Sequence, residues 1–486
     1  MKKKILLLTA SVAVCAFFAV QCYSQSLRRS STSESDKQYT EILDQVFAYV
    51  QQNYVEEVDP EVLYQGALKG MLESLEDPYS VYMDKSEWRS LTDTTMGNFG
   101  GVGLSITKPA ESTPEKPAYV EVASPIDNSP GFKAGIQSGD LIIKIEGVDT
   151  STISMDEVLN MLRGTVGESV TITIRRGKTL EFDKTLVRAV IENPTVKYGM
   201  IGKTGYIALS EFSTNTAKRF DEAIESFRKE GYTSLIIDLR NNGGGLLTTA
   251  VALADKFMEK GIIVSTKSRI AYENSVYYAS RAKTTVKDIP VVVLINRASA
   301  SASEILSGAL KDSKKAILIG ENTYGKGSVQ VPAGLLNNDG FKITVARYYS
   351  PSDANIDKIG IAPDVEVKYY EFTEDEEKAY AELVKAEIIP EYAENHPDMT
   401  ENDIAAYADT LKAKYNVPVQ YIRKLIRNEL DRKKSSRLYD LDFDVQLNAA
   451  LDILKDKKRY DEILSKSKTL KQIETEKNSE ETKKAE

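Results

Sequence analysis

The sequence is poor in histidine: its 486 residues include one, His396, in the polar segment Glu-Asn-His-Pro. A Ser-His-Asp hydrolase needs an imidazole beside its nucleophile to take the proton from the serine. A lone histidine in a polar segment therefore argues strongly against such a triad. Any base that activates a hydroxyl in this chain has to come from another residue type.

Cysteine is equally scarce. The two cysteines, Cys15 and Cys22, both lie within the first 24 residues. If that segment is removed, the chain has neither a disulfide nor a thiol nucleophile. The shortage of histidine and cysteine also argues against a structural or catalytic zinc site, and the carboxylates form no compact metal motif. We therefore expect no metal and no cofactor.

The first 24 residues have the pattern of a secretory signal. Lys2–Lys4 precede an apolar run from Ile5 to Val20, and small or polar residues follow that run. We expect cleavage near Ser24. Two alternatives stay open: lipidation at Cys22, although the preceding Gln21 fits a lipoprotein site poorly, and uncleaved anchoring in the membrane.

The charge balance is acidic. The 63 lysines and arginines are outnumbered by 72 aspartates and glutamates, which gives a formal net charge of −9. Removal of the signal takes away three lysines and no acidic residue, which leaves −12. An acidic chain repels a phosphate backbone, so we expect no nucleic acid partner. With 42% apolar residues, the length allows about two to four domains with ample cores.

A candidate nucleophile lies in the stretch from Val291 to Gln330. Val291–Ile295 is a short apolar run typical of a buried strand, and the apolar spacing of the next segment predicts a helix. Ser299, Ser301 and Ser303 therefore lie at a helix entrance. There, free backbone N–H groups and the positive end of the helix dipole stabilise developing negative charge. Serine is also a common helix cap, so the spacing alone does not select the nucleophile.

Lys326 is the natural base in place of histidine. It lies in the glycine-rich turn Tyr324-Gly325-Lys326-Gly327. A lysine removed from water loses its proton more readily and can then accept one from a serine. Moving a lysine pKa from about 10.4 to about 7 or 8 requires roughly 4 kcal/mol from burial and neighbouring groups. A dry site can supply that much.

The two motifs Ser-Ala-Ser-Ala-Ser-Glu (Ser299–Glu304) and Gly-Lys-Gly-Ser-Val-Gln (Gly325–Gln330) resemble those of the carboxy-terminal processing proteases, also called tail-specific proteases. The resemblance implies that Ser301 is the nucleophile and that Lys326, 25 residues later, is the base. It also implies that Gln330 completes a Ser-Lys-Gln arrangement and orients the lysine. Together with the signal, it predicts an exported protein of a bacterial periplasm or cell envelope.

A second glycine-rich turn, at 243–245, follows the predicted strand Ser234–Leu239 and precedes a predicted helix. Phosphate binding is not indicated, because neither a Walker lysine nor the Gly-x-Gly-x-x-Gly spacing is present. The resemblance assigns to this loop an oxyanion-hole N–H, from Gly244 or Gly245, with the Ala302 N–H as the other donor. Two charged residues before the turn are expected to brace the loop rather than react: Asp238 and Arg240.

Residues 93–190 are rich in glycine and short apolar runs, and their order resembles a PDZ domain. In that family a glycine-rich loop and the strand after it bind the last residues of a peptide, with backbone N–H groups around the terminal carboxylate. The alternative is a small β domain without a ligand. Two roles are left open for Arg163: it either reports peptide binding or forms a surface ion pair. The residues assigned to peptide binding are Gly100, Gly101, Val102, Gly103 and Leu104.

The expected fold is multi-domain and combines α/β and β classes: a mixed α/β protease core with an inserted PDZ domain and flanking helical regions. The C-terminal helices are expected to be either a dimer interface or a scaffold. The expected parts are a signal peptide (1–24), a flexible tether (25–36), an N-terminal helical region (37–92), the PDZ domain (93–190), the Ser/Lys protease core (191–370), a C-terminal helical region (371–464) and a disordered charged tail (465–486).

Two functions are compatible with these motifs. The first is an exported serine endopeptidase that recognises the C-terminus of protein substrates through its PDZ domain and cleaves peptide bonds with a Ser-Lys dyad. The second is a proteolytically inactive PDZ binding or scaffold protein on the same fold, and an esterase or amidase is a weaker third. The expected partners are proteins or peptides with free C-termini. Membrane association through the N-terminus and a homodimer or higher oligomer are left open.

Overall fold

The structure is a computed structural model of the chain. It describes residues 34–113, 117–431 and 437–485. The predicted signal and most of the predicted tether lie outside the described residues. The chain divides into two compact units, one that ends at Tyr82 and one that begins at Met83.

The described residues form 15 α-helices and 19 β-strands. The helices are α1 (Glu34–Asn53), α2 (Pro60–Glu73), α3 (Lys85–Met96), α4 (Pro130–Lys133), α5 (Met155–Leu162), α6 (Thr216–Glu230), α7 (Leu247–Ala254), α8 (Ala302–Asp312), α9 (Glu374–Lys385), α10 (Ile388–Asn395), α11 (Glu401–Lys412), α12 (Val419–Asp431), α13 (Val445–Lys455), α14 (Lys457–Lys466) and α15 (Leu470–Ala485). The strands are β1 (Val81–Met83), β2 (Asn98–Gly101), β3 (Leu104–Thr107), β4 (Val120–Pro125), β5 (Leu141–Ile145), β6 (Val148–Asp149), β7 (Ser169–Arg176), β8 (Leu180–Val187), β9 (Ala189–Glu192), β10 (Val196–Ile201), β11 (Thr204–Leu209), β12 (Ser234–Asp238), β13 (Ile262–Ser268), β14 (Ser275–Tyr278), β15 (Val291–Ile295), β16 (Ile317–Gly320), β17 (Ser328–Gly334), β18 (Gly340–Tyr349) and β19 (Val365–Glu366).

The unit that ends at Tyr82 is built on α1 and α2. Asp59 caps α2, because its carboxylate accepts the Glu61 N–H at 2.8 Å, and Pro60 takes the first helical position, where no N–H is needed. Tyr64 of α2 packs edge-to-face on Tyr82, with ring centroids 6.3 Å apart. The prediction of helices in this region is confirmed.

The region expected to be a PDZ domain is a small antiparallel sheet with the eight-residue helix α5 against it. The strand order is β3-β4-β5-β7-β8, with β6 beside β5, so β3 lies at an edge of the sheet. Alternate residues point inward, and Val122 and Ile142 are fully buried. Helix α5 begins with a capping box formed by Ser154 and Glu157. Strand β2 pairs with β9, which brings the two ends of the domain together.

The central sheet carries the serine motif. Its order is β10-β11-β12-β15-β16-β19, with β10 antiparallel to β11 and the remaining neighbours parallel. In this register Ile237 lies opposite Val293, and Leu294 lies opposite Ile319. Strands β12, β15 and β16 are buried on both faces, which explains their continuous apolar sequences.

Helices cover both faces of the central sheet. On one face, Ile237 packs in a core with residues of α6, α7 and α8, among them Leu306. On the other face, Ile236 packs with Leu447 of α13 and Tyr460 of α14. The core is therefore completed by C-terminal helices that lie beyond the boundary expected at residue 370.

A second antiparallel sheet contains β13, β14, β17 and β18. Its β17–β18 hairpin begins two residues after Lys326 and pairs Gln330 with Thr344. The hairpin therefore positions the residues that follow the candidate base.

Helix α3 joins this hairpin to the PDZ domain. Trp88 lies against the far end of the hairpin, where a Cβ added at Gly334 or Gly340 would come within 3.0 or 2.2 Å of the indole. Glycine is the residue that leaves room for the ring at Gly340. Further along α3, Asp93 binds Arg163 at the end of α5, with an N–O distance of 3.1 Å.

The end of the chain differs from the disordered tail expected at 465–486. Leu470, the first residue of α15, is buried in the same core as α8. Its N–H donates to Asp312 Oδ1 at 2.7 Å, and Ser467 Oγ donates to Asp364 Oδ1 at 2.7 Å. Leu470 and these two hydrogen bonds attach the start of α15 to the core. Among the described helices, none combines the length and the apolar character needed to cross a membrane.

Candidate active site

Ser301 lies between β15 and α8, at the start of the helix. Its φ of +55° is in the left-handed region, which residues with a Cβ rarely adopt. Such a conformation costs about 1–3 kcal/mol and persists where the surroundings enforce it. The Ser301 N–H donates to Glu304 Oε2 at 2.9 Å. The backbone is therefore held in a strained conformation that fixes the direction of the side chain.

The neighbouring serines are used elsewhere. Ser299 Oγ donates to the Leu239 carbonyl at 2.8 Å, and Ser303 Oγ donates to the Asn242 carbonyl at 2.9 Å. Both serines are fully buried, whereas Ser301 is half-buried. Of the three serines that the sequence offers, Ser301 is the one that is not fully buried.

Glu304 is a buried carboxylate that accepts four hydrogen bonds, three of them from residues of the two motifs. Its Oε2 accepts the N–H groups of Ser301 and Lys326, each at 2.9 Å. Its Oε1 accepts the Gly325 N–H at 2.7 Å and the Thr323 hydroxyl at 2.6 Å. Burial raises the pKa of this carboxyl above its usual 4.5, and the four hydrogen bonds oppose that rise. One side chain thus ties the serine motif to the lysine turn.

Tyr348 of β18 makes a second tie between the same two residues. Its hydroxyl contacts the carbonyl oxygens of Lys326 and Ser301, the latter at 3.3 Å, and the side chain is buried. The N–H groups of Ser301 and Lys326 are therefore held by a carboxylate, and their carbonyls by a phenol. This arrangement brings the backbones of the two predicted catalytic residues together.

The lysine turn needs glycine on both sides of Lys326. Gly325 has a φ of +88°, and a Cβ there would lie 2.8 Å from the Gly360 nitrogen. At Gly327 a Cβ would lie 2.7 Å from the Asp357 nitrogen. The turn therefore packs closely against the segment at 357–360, and Lys326 itself is half-buried.

Gln330 lies on β17, and its side chain binds two hydroxyls. Its Nε2 donates to Ser328 Oγ at 2.9 Å and to Thr344 Oγ1 at 3.1 Å. These bonds fix the orientation of the amide on the hairpin that follows Lys326. The expected role of Gln330 in orienting the lysine stays a prediction.

The glycine-rich loop is organised by Asn242, which is fully buried. Its side chain donates to the Leu209 carbonyl at 2.8 Å and accepts the Gly244 N–H at 2.9 Å. Its own carbonyl accepts the Ala300 N–H at 3.0 Å and the Ser303 hydroxyl at 2.9 Å. The loop and the serine turn are therefore joined by one amide residue.

The two candidate oxyanion glycines have different surroundings. Gly244 is buried with a φ of +108°, and a Cβ there would lie 2.8 Å from the Ser301 Cβ and 3.0 Å from the Ala302 nitrogen. Gly245 is exposed and lies beside Phe212, where a Cβ would come within 2.4 Å of the Phe212 carbonyl oxygen. The structure thus brings Gly244, Ser301 and Ala302 together.

Asp238 and Arg240 brace the same loop, as expected. The Asp238 carboxylate accepts the backbone N–H and the side chain of Arg240, as well as the Tyr206 hydroxyl at 2.7 Å. Asp444 binds the other side of the guanidinium at 2.6 Å. Burial disfavours the charge of Arg240, but the hydrogen bonds to both carboxylates outweigh it and raise the pKa of the guanidinium.

The PDZ segment Gly100–Leu104, which includes the turn between β2 and β3, is shaped by close packing. Gly103 has a φ of +71°, and its carbonyl accepts the Ser129 hydroxyl at 3.0 Å. The Val102 carbonyl accepts the Gly131 N–H at 2.8 Å. The carbonyls of Val102 and Gly103 therefore accept hydrogen bonds from within the domain. The chain then leads directly into the edge strand β3. Arg163 forms the ion pair with Asp93 described above, the second of its two open roles.

Three residues that position this site were not assigned a role from the sequence: Glu304, Asn242 and Tyr348. Glu304 had a readable signal, because Ser301 and Glu304 match the S-x-x-E spacing of a capping box. Asn242 lies inside a glycine turn, where asparagine is common for reasons of turn geometry. Tyr348 lies on a different sheet, and no local pattern links it to the serine.

The single histidine stacks on Tyr392 in the C-terminal helices, with ring centroids 4.0 Å apart. Across the described ranges, no three or more His, Cys, Asp or Glu side chains are arranged to hold a metal ion.

Comparisons with known proteins match these domains. A family model described as "Peptidase family S41" matches residues 203–367, one for "PDZ domain" matches 121–176, and one for "Activating protease CtpB N-terminal domain" matches 12–87.

Curated relatives are similar to this chain over about three quarters of its length. A "Carboxy-terminal-processing protease" of Bartonella bacilliformis is 37% identical over 374 residues, which covers 76% of this chain and 83% of the relative. The "Carboxy-terminal processing protease CtpA" of Bacillus subtilis is 33% identical over 384 residues, which covers 77% of this chain and 80% of the relative. Among solved structures, a "photosystem II D1 C-terminal processing protease" is 29% identical with a TM-score of 0.39, and the match covers 68% of this chain and 92% of that one.

Proposed function

Because the chain belongs to peptidase family S41, the carboxy-terminal processing proteases, we propose that it is a serine endopeptidase that cleaves peptide bonds with a dyad of Ser301 and Lys326. The observation that carries this proposal is the double tie between the two residues through Glu304 and Tyr348. The engagement of Ser299 and Ser303 by buried carbonyls supports Ser301 as the nucleophile.

In the proposed reaction, Lys326 takes the proton from Ser301 Oγ as the oxygen attacks the scissile carbonyl. The carbonyl oxygen becomes an oxyanion, which the N-terminus of α8 stabilises through the Ala302 N–H and the helix dipole. As the tetrahedral intermediate collapses, Lys326 gives the proton to the leaving amine. Water then attacks the acyl-enzyme by the same route and releases Ser301.

The second oxyanion donor is proposed to be Gly245. The Gly244 N–H already donates to Asn242 Oδ1, so it has to leave a buried acceptor before it can serve an oxyanion. Gly244 is better suited to permit close approach, because any side chain there would meet Ser301. The proposed site therefore uses Gly244 for space and Gly245 for its N–H.

The PDZ domain is proposed to capture the C-terminus of the substrate. The segment Gly100–Leu104 contains the turn between β2 and β3, and the resemblance to PDZ domains supports the use of its N–H groups for a terminal carboxylate. The following strand β3 is an edge strand on which an extended peptide can pair. Export to a bacterial periplasm or cell envelope is proposed from the N-terminal signal pattern, with lipidation at Cys22 as the alternative form of attachment.

The test uses an unfolded protein with an apolar C-terminus as substrate and compares the parent with Ser301→Ala, Lys326→Ala and the double variant. Each single variant is expected to abolish cleavage, and the double variant to be no worse, because nucleophile and base act as one unit. Melting temperatures should stay close to that of the parent. Lys315→Ala, which changes an exposed lysine of the same domain, serves as the control.

Four outcomes contradict parts of the proposal. Full activity of Lys326→Ala overturns the dyad, and full activity of Ser301→Ala overturns the serine mechanism. A parent chain that binds such substrates but cleaves none supports the inactive PDZ scaffold instead. Gln330→Ala is expected to be milder than Ser301→Ala, and an equal loss would contradict an orienting role.

A further inference from the structure

A short acidic stretch, Tyr-Asp-Leu-Asp-Phe-Asp at 439–444, separates the C-terminal helices α12 and α13. Its three aspartates bind two different arginines. Asp440 and Asp442 bind Arg427 of α12 at 3.3 and 2.7 Å. Asp444 binds Arg240 of the catalytic core at 2.6 Å. The same stretch therefore ties the helical region together and ties that region to the protease core.

The Arg240 site is buried and fully engaged. The side chains of Arg240 and Asp444 are 10% and 16% exposed. Asp444 accepts from both terminal nitrogens of the guanidinium, at 2.7 and 2.6 Å, while Tyr369 accepts from one of them at 2.7 Å. Removal of Asp444 leaves a buried guanidinium with Asp238 as its remaining counterion. The loss of one counterion therefore favours a displacement of the Arg240 side chain.

Movement of Arg240 is transmitted directly along the backbone. Asn241, the next residue, has a φ of +59° and is tied to Asn296 through its N–H and its side chain, at 3.0 and 2.9 Å. Asn242 follows and holds both Gly244 and the serine turn. Asn241 is a residue with a Cβ held in the left-handed region, so a displacement of Arg240 strains its bonds to Asn296 and is passed on to Asn242.

We propose that Asp444 is a positioning residue for catalysis: it acts through Arg240 to hold the loop that carries Gly244 and Gly245 against Ser301. This inference rests on the proposed Ser301 mechanism. It makes docking of the C-terminal helical region a requirement for a formed oxyanion hole, whereas the affinity of the PDZ domain for peptide ends is expected to stay unchanged.

The experiment compares Asp444→Asn with Asp442→Asn in the full chain. Both variants remove one negative charge from the same stretch, but Asp442 contacts Arg427 and not Arg240. We expect Asp444→Asn to lower kcat by about 10- to 100-fold with KM within about 3-fold of the parent, since loss of one oxyanion donor costs roughly 100- to 1000-fold and a displaced donor costs less. Asp442→Asn is expected to keep kcat within about 3-fold.

Two further measurements separate positioning from general damage. A peptide boronate, whose adduct with serine places an oxygen in the oxyanion hole, should bind Asp444→Asn more weakly by a factor similar to the loss in kcat. Tyr369→Phe, which removes one acceptor from Arg240, should lower kcat less than Asp444→Asn and leave KM unchanged. This second variant keeps the test valid if Asp444→Asn does not fold.

The inference is overturned if Asp444→Asn and Tyr369→Phe both keep the parent kcat, or if Asp442→Asn loses as much as Asp444→Asn. A Ser301→Ala variant is measured alongside. If Ser301→Ala stays active, the proposed mechanism fails; if it is inactive while Asp444→Asn is unimpaired, the positioning role of Asp444 alone fails.

Discussion

Ser301 and Lys326 donate their backbone N–H groups to a single oxygen atom, Oε2 of Glu304, each over 2.9 Å. The separation of the two backbones is thus set by a buried carboxylate and not by the flexible side chain of the lysine. Preorganisation of this kind lowers the reorganisation needed when charge develops in the transition state.

Replacement of Glu304 by glutamine is expected to damage both stability and activity. The variant places an amide NH2 where N–H donors converge, so the free energy of unfolding should fall by about 2–3 kcal/mol. The rate kcat should fall at least about 10-fold, because Ser301 and Lys326 lose their shared acceptor. Urea unfolding and steady-state kinetics measure the two effects.

Glu371→Gln is the control for the Glu304 variant. It removes the same charge from a side chain that is 79% exposed. We expect a change in stability within about 0.5 kcal/mol and unchanged kinetics. A Glu304→Gln protein as stable and as active as this control would show that the carboxylate does not organise the site.

A second prediction concerns the free C-terminus of the substrate. Amidation removes the charge that the loop Gly100–Leu104 is proposed to bind, at a cost of about 1.5–3 kcal/mol, the range for a hydrogen bond to a charged group. Affinity should fall roughly 10- to 150-fold, and cleavage efficiency with it. Cleavage rates of matched free-acid and amide peptides, measured below saturation, provide the readout.

Deletion of residues 95–185 separates two ways in which capture can act. Reduced activity after deletion indicates that the PDZ domain delivers substrate to the cleft, and increased activity indicates that the empty domain blocks it. Both require the terminal carboxylate to matter in the intact chain. Equal rates for the free acid and the amide would leave this domain with a structural role.

The third prediction is that activity is insensitive to chelators and to thiol reagents. Both cysteines lie in the first 24 residues, and the proposed reaction uses a hydroxyl and an amine. Rates measured with and without EDTA or iodoacetamide should agree, with a cysteine protease treated in parallel to prove that the thiol reagent works. A rate that falls with EDTA and returns with added metal would contradict the proposed chemistry.

The fourth prediction links Asp444 to the pH dependence of stability. Burial works to raise the pKa of Asp444, but its bonds to Arg240 outweigh burial and hold the pKa below the usual 3.8. The folded chain therefore binds fewer protons at this site than the unfolded chain. The stabilisation is present above pH 3.8 and is lost as the pH falls through the lower, folded value.

Urea unfolding of the parent and of Asp444→Asn between about pH 3 and pH 6 tests this sign. The difference in unfolding free energy should be largest at the upper end and shrink on acidification. A difference that stays constant with pH would show that the carboxylate is not held in its charged form by Arg240.

The features that could be predicted from the sequence are those with local causes. The run Val291–Ile295 was predicted as a buried strand and forms β15 with the same bounds, because a strand covered on both faces has to be apolar throughout. The helix after Ser301 and the glycine turn around Lys326 were predicted for equally local reasons. Asp238 and Arg240 were expected to brace the loop, and their contact is equally local, since one residue separates them.

The features that escaped prediction depend on distant contacts. Asp444 lies 204 residues from Arg240, and no local pattern in the stretch 439–444 points to that partner. The burial of Leu470 at the start of α15 was not predicted either, because the residue lies in a charged segment. Periodicity reports which face of an element is apolar, but not which element covers that face. The packing of α13 and α14 on the central sheet therefore could not be predicted from the sequence.

The position of Trp88 has an optical consequence. It is the chain's one tryptophan, and its indole lies between α3, which is bound to the PDZ domain through Asp93, and the hairpin end at Gly334 and Gly340. Intrinsic fluorescence excited at the indole band therefore reports on the contact between α3 and the hairpin end. It needs no labelling and has no background from other tryptophans. When tryptophan-free peptides are added, a change in Trp88 emission reports that binding to the PDZ domain alters the surroundings of the β17–β18 hairpin, which begins beside Lys326.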